Sequence, residues 1–301
     1  MHELRKTLGI HRWAPLGAAL LLLFLWAPAA LADGTEEINN PSPPLTIEPG
    51  SGFVGAGVGL ADGQPGTISI DVPGDVQQAL LYWEGANAGT ADYMATMDIT
   101  VNGADVTGDA IGGNTLYSGA DGSGWVTVSY RADITSLVTS GPQSLLIGGL
   151  DFTRENDGAG VLVIYDDGTL GELEVRDGND YAHIRSPGAL EVTVPLTFTF
   201  DAASVDRTAI IDSLVGSVAD DTGYLGARPN SIEVTVGTTT TTFTDELFSA
   251  DDRLWDSWRG EVPVPADATT LTVQLFSRCL LYTSDAADES SRGGGGGGGG
   301  G

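Results

Sequence analysis

Apolar residues recur at every second position along much of this chain. Ile68, Ile70 and Val72 alternate with Thr67, Ser69 and Asp71 ahead of Pro73-Gly74. Met97, Ile99 and Val101 alternate ahead of Asn102-Gly103, a pair that suits the left-handed backbone of a tight hairpin turn. The longest such run is Leu190, Val192, Val194, Leu196, Phe198 and Phe200, opposed by Glu191, Thr193, Pro195, Thr197, Thr199 and Asp201. Period two puts one set on a packed face and the other in water, as in an antiparallel sheet with one wet side. Pro195 has no amide hydrogen to give, which places that strand at a sheet edge or a bulge.

Other stretches are apolar without alternation: Ala79-Leu80-Leu81-Tyr82-Trp83, Leu145-Leu146-Ile147 and Val161-Leu162-Val163-Ile164-Tyr165. They suit strands buried on both faces. Ser231–Val236 and Thr270–Phe276 add two later strands. Helix is sparse: 133–138 predicts a single turn, and 210–215 reads either way. With turn residues every ten or so positions, the pattern predicts an all-β fold. We expect an antiparallel β-sandwich of jelly-roll or immunoglobulin-like type, as one large sandwich or two packed ones. Ser186-Pro187-Gly188 divides a module at 51–185 from a second half or domain at 189–277. Residues 33–50, with Asn39-Asn40-Pro41-Ser42-Pro43-Pro44, read as a Pro-stiffened leader.

Both ends carry signals of another kind. Arg5, Lys6 and Arg12, then the apolar Leu16–Trp26, then Ala30-Leu31-Ala32 have the three parts of a signal peptide over residues 1–32. The apolar run is shorter than the roughly 20 residues of a membrane span. Export and cleavage after Ala32 are therefore expected. Cys279–Glu289 resembles a translated sequencing adapter and Gly293–Gly301 a homopolymer read-out, so 279–301 is set aside as a non-native tail.

Charge and composition narrow the chemistry. The chain has 13 basic and 41 acidic residues, a net charge of −28, and no lysine after the leader. Such a field repels nucleic acid and anionic lipid. The single cysteine, Cys279, lies in the tail. This leaves no disulfide and no thiol nucleophile. His183 is the only histidine past residue 32, too few for a multi-histidine zinc centre. Without lysine, isopeptide links and Schiff bases are excluded as well.

Five phrases stand in a distinctive order: ALLYWEG (79–85), ITVNG (99–103), YRADITSLV (130–138), DGAGVLVIYDDG (157–168) and RDG (176–178). Together they resemble a β-sandwich module of exported bacterial and archaeal surface proteins, found beside fimbria-like or cell-wall repeats. The resemblance covers about Phe53 to Asp180. It implies a sandwich architecture and a surface location, and it supplies no catalytic motif.

Candidate sites follow from residue type. Asp166, Asp167, Asp177 and Asp180, with Asp220-Asp221 and Asp251-Asp252, put carboxylates at strand ends where loops could converge on Ca²⁺. None completes an EF-hand loop, and Asp-Gly turns account for such pairs equally well. Trp255 and Trp258 in a polar stretch, with Trp125, Tyr181 and Tyr224, are candidates for stacking on sugar rings; packing over a core is the alternative. Glu84, Glu172, Glu174, Glu191 and Glu233 could furnish a hydrolytic carboxylate pair. Glu84 stands out because it follows Tyr82-Trp83, where burial could raise its pKa. His183 and Ser186 lack the nucleophile elbow of a serine hydrolase. Gly55, Gly57 and Gly59 have no following helix to make a phosphate loop and read as a flexible strand or bulge.

Three functions remain, in this order. The first is a non-enzymatic secreted or cell-surface module with a structural or adhesive role, contacting other surface proteins. The second is a carbohydrate-binding module with structural Ca²⁺, whose partner is a glycan. The third is a carboxylate-dependent glycoside hydrolase.

Overall fold

The computed structural model describes residues 37–45, 47–88, 96–118, 124–168, 171–180, 182, 191–218 and 230–277, without the side chains at 37, 96, 113–118 and 125. Strands of the first half are β1 (Glu37–Asn39), β2 (Ser51–Gly59), β3 (Gly66–Val72), β4 (Val76–Ala88), β5 (Thr96–Val101), β6 (Ala104–Ser118), β7 (Gly124–Asp133), β8 (Gly141–Gly148), β9 (Glu155–Asp166) and β10 (Asp177–Asn179). The second half adds β11 (Leu196–Thr199), β12 (Arg207–Val218), β13 (Ser231–Val236), β14 (Thr239–Thr244), β15 (Leu254–Val264) and β16 (Thr270–Phe276). The fold is all-β and every strand pairing is antiparallel, as expected. The expected turn near 133–138 is a 3-10 turn at Thr135–Leu137, and 210–215 lies within β12. Among the described residues no helix is long and apolar enough to cross a membrane.

Eight strands form one sheet in the order β2-β9-β4-β7-β6-β5-β8-β3. Its two end strands are consecutive in sequence and pack together, so the sheet curls almost closed. A Cβ at Gly66 of β3 would lie 2.6 Å from Leu60 and 2.9 Å from Val58. Alternation decides what faces inward: Ile68, Ile70 and Val72; Ala79, Leu81 and Trp83; Met97, Ile99 and Val101; Val126, Val128 and Tyr130; Ala159, Val161 and Val163. Trp83 stacks on Tyr130 with ring centres 5.7 Å apart and planes 13° from parallel. Gly108 makes room for it, since a Cβ there would sit 2.0 Å from the indole. The Asn102-Gly103 turn closes β5 onto β6 with φ of 52° and 80°, the left-handed geometry a two-residue hairpin needs.

The second half has two layers. One is a four-stranded sheet, β11-β16-β13-β14, and the other a ribbon of β12 and β15. Among the described residues of the long alternating run, Leu196–Thr199 forms a strand; ahead of Pro195, Val192 makes one isolated bridge to Phe276. β11 is an edge strand, as the proline demands. Ile232, Val234, Trp258, Val262, Val264, Leu271 and Val273 fill the space between the layers.

The ribbon also packs on the first half, and there the glycines of β2 and β9 matter. Gly57 pairs with Gly160 and Gly59 with Gly158. With Gly55 they leave the outer face of those strands nearly free of side chains. The Trp255 indole lies across that face: a Cβ at Gly57, Gly158 or Gly160 would stand 2.0, 2.8 or 2.9 Å from it. Leu214 covers Gly55 and Gly160. Of the two readings of these glycines, strand or bulge, they take the strand, paired in regular register with β9. They are a smooth sheet face onto which a second layer is pressed.

Candidate functional site

Polar groups collect on the outer face of β4 and β7. Tyr82 pairs in register with Arg131, and Glu84 with Ser129. The inward neighbours at 81, 83, 128 and 130 are core, so period two turns 82, 84, 129 and 131 outward. β10 lies over them. Asp177 forms an ion pair with Arg131 and accepts a hydrogen bond from the Tyr82 hydroxyl at 3.1 Å. Asn179 donates to the Thr127 carbonyl at 3.0 Å, and its Oδ1 is 3.4 Å from Ser129 Oγ. Burial pushes the Tyr82 hydroxyl far above its ordinary pKa, and the charge of Asp177 adds to this. Arg131 also donates to the Ser42 carbonyl, which ties the leader to the body together with the β1–β10 pairing.

Glu84 is the group with unusual chemistry. Its register partner on β9 is Gly158, and Gly85 opposes Asn156, so Asp157 is the extra residue of a β-bulge. The bulge brings Asp157, only 1% exposed, close enough to influence the Glu84 carboxyl. Ser129 Oγ donates to Glu84 Oε2 at 3.1 Å. Burial raises the Glu84 pKa to about 7, against the opposing pull of the bonds to Ser129 and Asp157.

Glu84 and Ser129 border a cavity of about 460 Å³ between the two halves. Its walls are mostly apolar: Phe53 and Leu162 from the first half, Phe198, Phe200, Leu271 and Leu275 from the second. The volume and lining suit a ligand site.

The sequence candidates are distributed otherwise. Trp255 and Trp258 are 2% and 7% exposed, which matches the core packing weighed against sugar stacking for them. Trp255 is spent on the glycine face, and Trp258 meets Phe243 edge-on at 5.0 Å inside the second half. Trp125 falls in β7, with its side chain outside the described residues. Tyr181, His183, Ser186, Asp220, Asp221 and Tyr224 also lie outside them.

Three of the four aspartates expected to gather Ca²⁺ have their carboxylates engaged elsewhere. Asp166 accepts from the Gly168 amide at 3.2 Å, and the Asp167 amide donates to the Gly50 carbonyl, so this pair ends β9 in a local turn. Asp177 is paired with Arg131, and Asp180 accepts from the Val194 amide at 2.7 Å. Among the described residues no group of three or more His, Cys, Asp or Glu is placed to hold a metal ion. Asp251 and Asp256 likewise receive backbone amides: Ser257 bonds to Asp251 at 2.6 Å and Ser249 to Asp256 at 2.8 Å.

Of the carboxylates considered for hydrolysis, Glu172 and Glu174 border the cavity with Glu84, and Glu174 pairs with Arg176 at 2.8 Å. Glu233 stands in β13 opposite Thr242 and Gln274, while Glu191 receives the Ser277 amide on its backbone carbonyl. Asp157 escaped the sequence reading because a bulge leaves no mark in composition. Thr127, Ser129 and Arg131 did leave one, as polar residues at period two in a strand whose other face is Val126, Val128 and Tyr130. No family model, curated protein or solved structure matches this chain.

Proposed function

We propose that the chain is a structural or adhesive module of an exported surface protein and works without catalysis. One observation carries this reading: the groups that chemistry would recruit are engaged in joining one part of the fold to another. Asp177 binds Arg131, Asp180 binds the start of the second half, and Trp255 fills the seam between halves. A hydrolase would need two carboxyls about 5–10 Å apart with a glycosidic bond between them. Glu84 is held in the interior by Ser129, and Glu174 by Arg176, so these two candidates are engaged within the fold. A sugar platform would need its tryptophans in water, and Trp255 and Trp258 are not.

The test pairs localisation with turnover. The purified protein is applied to envelope fractions and intact cells of its source organism, and separately to a panel of glycoside substrates. Retention on the envelope without turnover supports the module. Turnover that disappears in Glu84→Gln would overturn it.

A further inference from the structure

The cavity between the halves is long rather than round. Its lining along β12 runs from Gly216, which lies against the Glu84 carboxyl, to Ala209. Seven steps of strand span about 23 Å, so the 460 Å³ are drawn out along that axis. The walls are apolar and incompletely covered. Phe53 and Leu162 from the first half, and Leu196, Phe198 and Phe200 from the second, border the space and are only half-buried. Covering such surface with an apolar occupant is favourable. One end of the space is different. Glu84 borders it, accepts a hydrogen bond from Ser129 on Oε2, and has Asp157 close by on β9. A carboxylate has about four acceptor positions, so Glu84 keeps some after this bond is made.

We propose that this cavity binds a small molecule with an extended apolar chain and a single amine head, its ammonium group at Glu84 and its chain along β12. The charges around the space choose the head. Asp177 is paired with Arg131, Asp212 with Arg259, and Glu174 with Arg176, the one cation among the described lining residues. Glu84 and Glu172 have no arginine partner among the described residues and remain in excess. An ammonium group answers that excess, whereas a carboxylate or phosphate head would be desolvated beside like charge. The net charge of −28 acts in the same direction at longer range and draws cations toward the chain. Binding of this kind involves no turnover and stands independently of the surface role.

The probes are decylamine, decanol and decanoate, which share one chain and differ in the head, together with the short butylamine. Each is titrated calorimetrically into the full chain, below the concentration at which it aggregates. We expect one decylamine per chain, bound at least about tenfold more tightly than decanoate. Butylamine, lacking most of the apolar contact, should bind at least about a hundredfold more weakly than decylamine. Glu84→Gln should cost decylamine about tenfold and leave decanol unchanged, while Ala209→Phe, which fills part of the space, should weaken both. Absence of decylamine binding overturns the site, as it would if the protein's own chain filled the space. Equal affinity for decylamine and decanoate overturns the amine head, and equal affinity for butylamine overturns the extended chain. Decylamine binding that survives Glu84→Gln intact reduces the effect to the general attraction of cations by an acidic surface and also overturns the site. Should Glu84→Gln lose decanol too, the comparison of heads in the parent protein decides. Envelope retention is measured without these probes, so failure of the site and failure of the surface role are read separately.

Discussion

Glu84 illustrates how a single side chain acquires its properties from two neighbours on different strands. Its ordinary pKa is 4.5, and the fold raises it to about 7. Between those values the folded protein keeps a proton that the unfolded chain has released. Stability from this group is therefore intact below about pH 4.5 and is lost as pH rises toward 7. Glu84→Gln removes the titration. Its stability, followed by the melting temperature, should improve relative to the parent between pH 5 and pH 8, by at most a few kcal/mol at about 1.4 kcal/mol per pKa unit. Asp212 and Asp256 are also raised by burial and act in the same direction, so the difference between the two proteins is the quantity to measure. A constant difference across that range would show that Glu84 does not titrate there. Glu84 was visible in the sequence because it follows two large aromatics. Asp157 was not, because a one-residue slip of register is fixed by tertiary pairing.

At the level of strands, the alternating patterns of β3 and β5 were plain in the sequence, and so was the Asn-Gly turn. The glycines of β2 and β9 follow the same period two, but they signal a face by what is missing. Gly57→Ala forces a methyl to within 2.0 Å of the Trp255 indole. Overpacking of this kind costs about 1–3 kcal/mol, or roughly 2–10 °C in a chain of this size. Gly63→Ala meets nothing within 4 Å and serves as the control. Equal melting of the two variants would refute close packing at the seam. The acidic loops carry a parallel lesson, since Asp-rich ends look the same in sequence whether they bind an ion or an arginine. With Asp177 and Asp180 already engaged, Ca²⁺ or chelator should leave the melting curve unchanged. A rise of several degrees with Ca²⁺ would restore the ion site.

Across the whole molecule, the ribbon of β12 and β15 belongs to both halves. Its one face holds Trp255 and Leu214 against β2 and β9, and its other holds Trp258 and Val262 against the four-stranded sheet. The halves should therefore unfold in one calorimetric transition, and two separated transitions would contradict that shared layer. The buried Arg131–Asp177 pair fastens the leader and β10 to the same body. Asp177→Asn leaves Arg131 without its counter-charge, and breaking a pair this deep costs about 3–5 kcal/mol. Protease cleavage near Ser42 at temperatures where the parent resists is the expected sign; unchanged resistance would mean that other contacts hold the leader.

The glycine face also makes any opening of the seam lopsided. On the first half it would expose peptide groups already bonded within their sheet, a surface that water wets readily and that has little to attract a neighbour. On the second half it would expose an indole and a leucine. A molecule caught partly open would be adhesive on one side only, and its misassociation would begin from the ribbon.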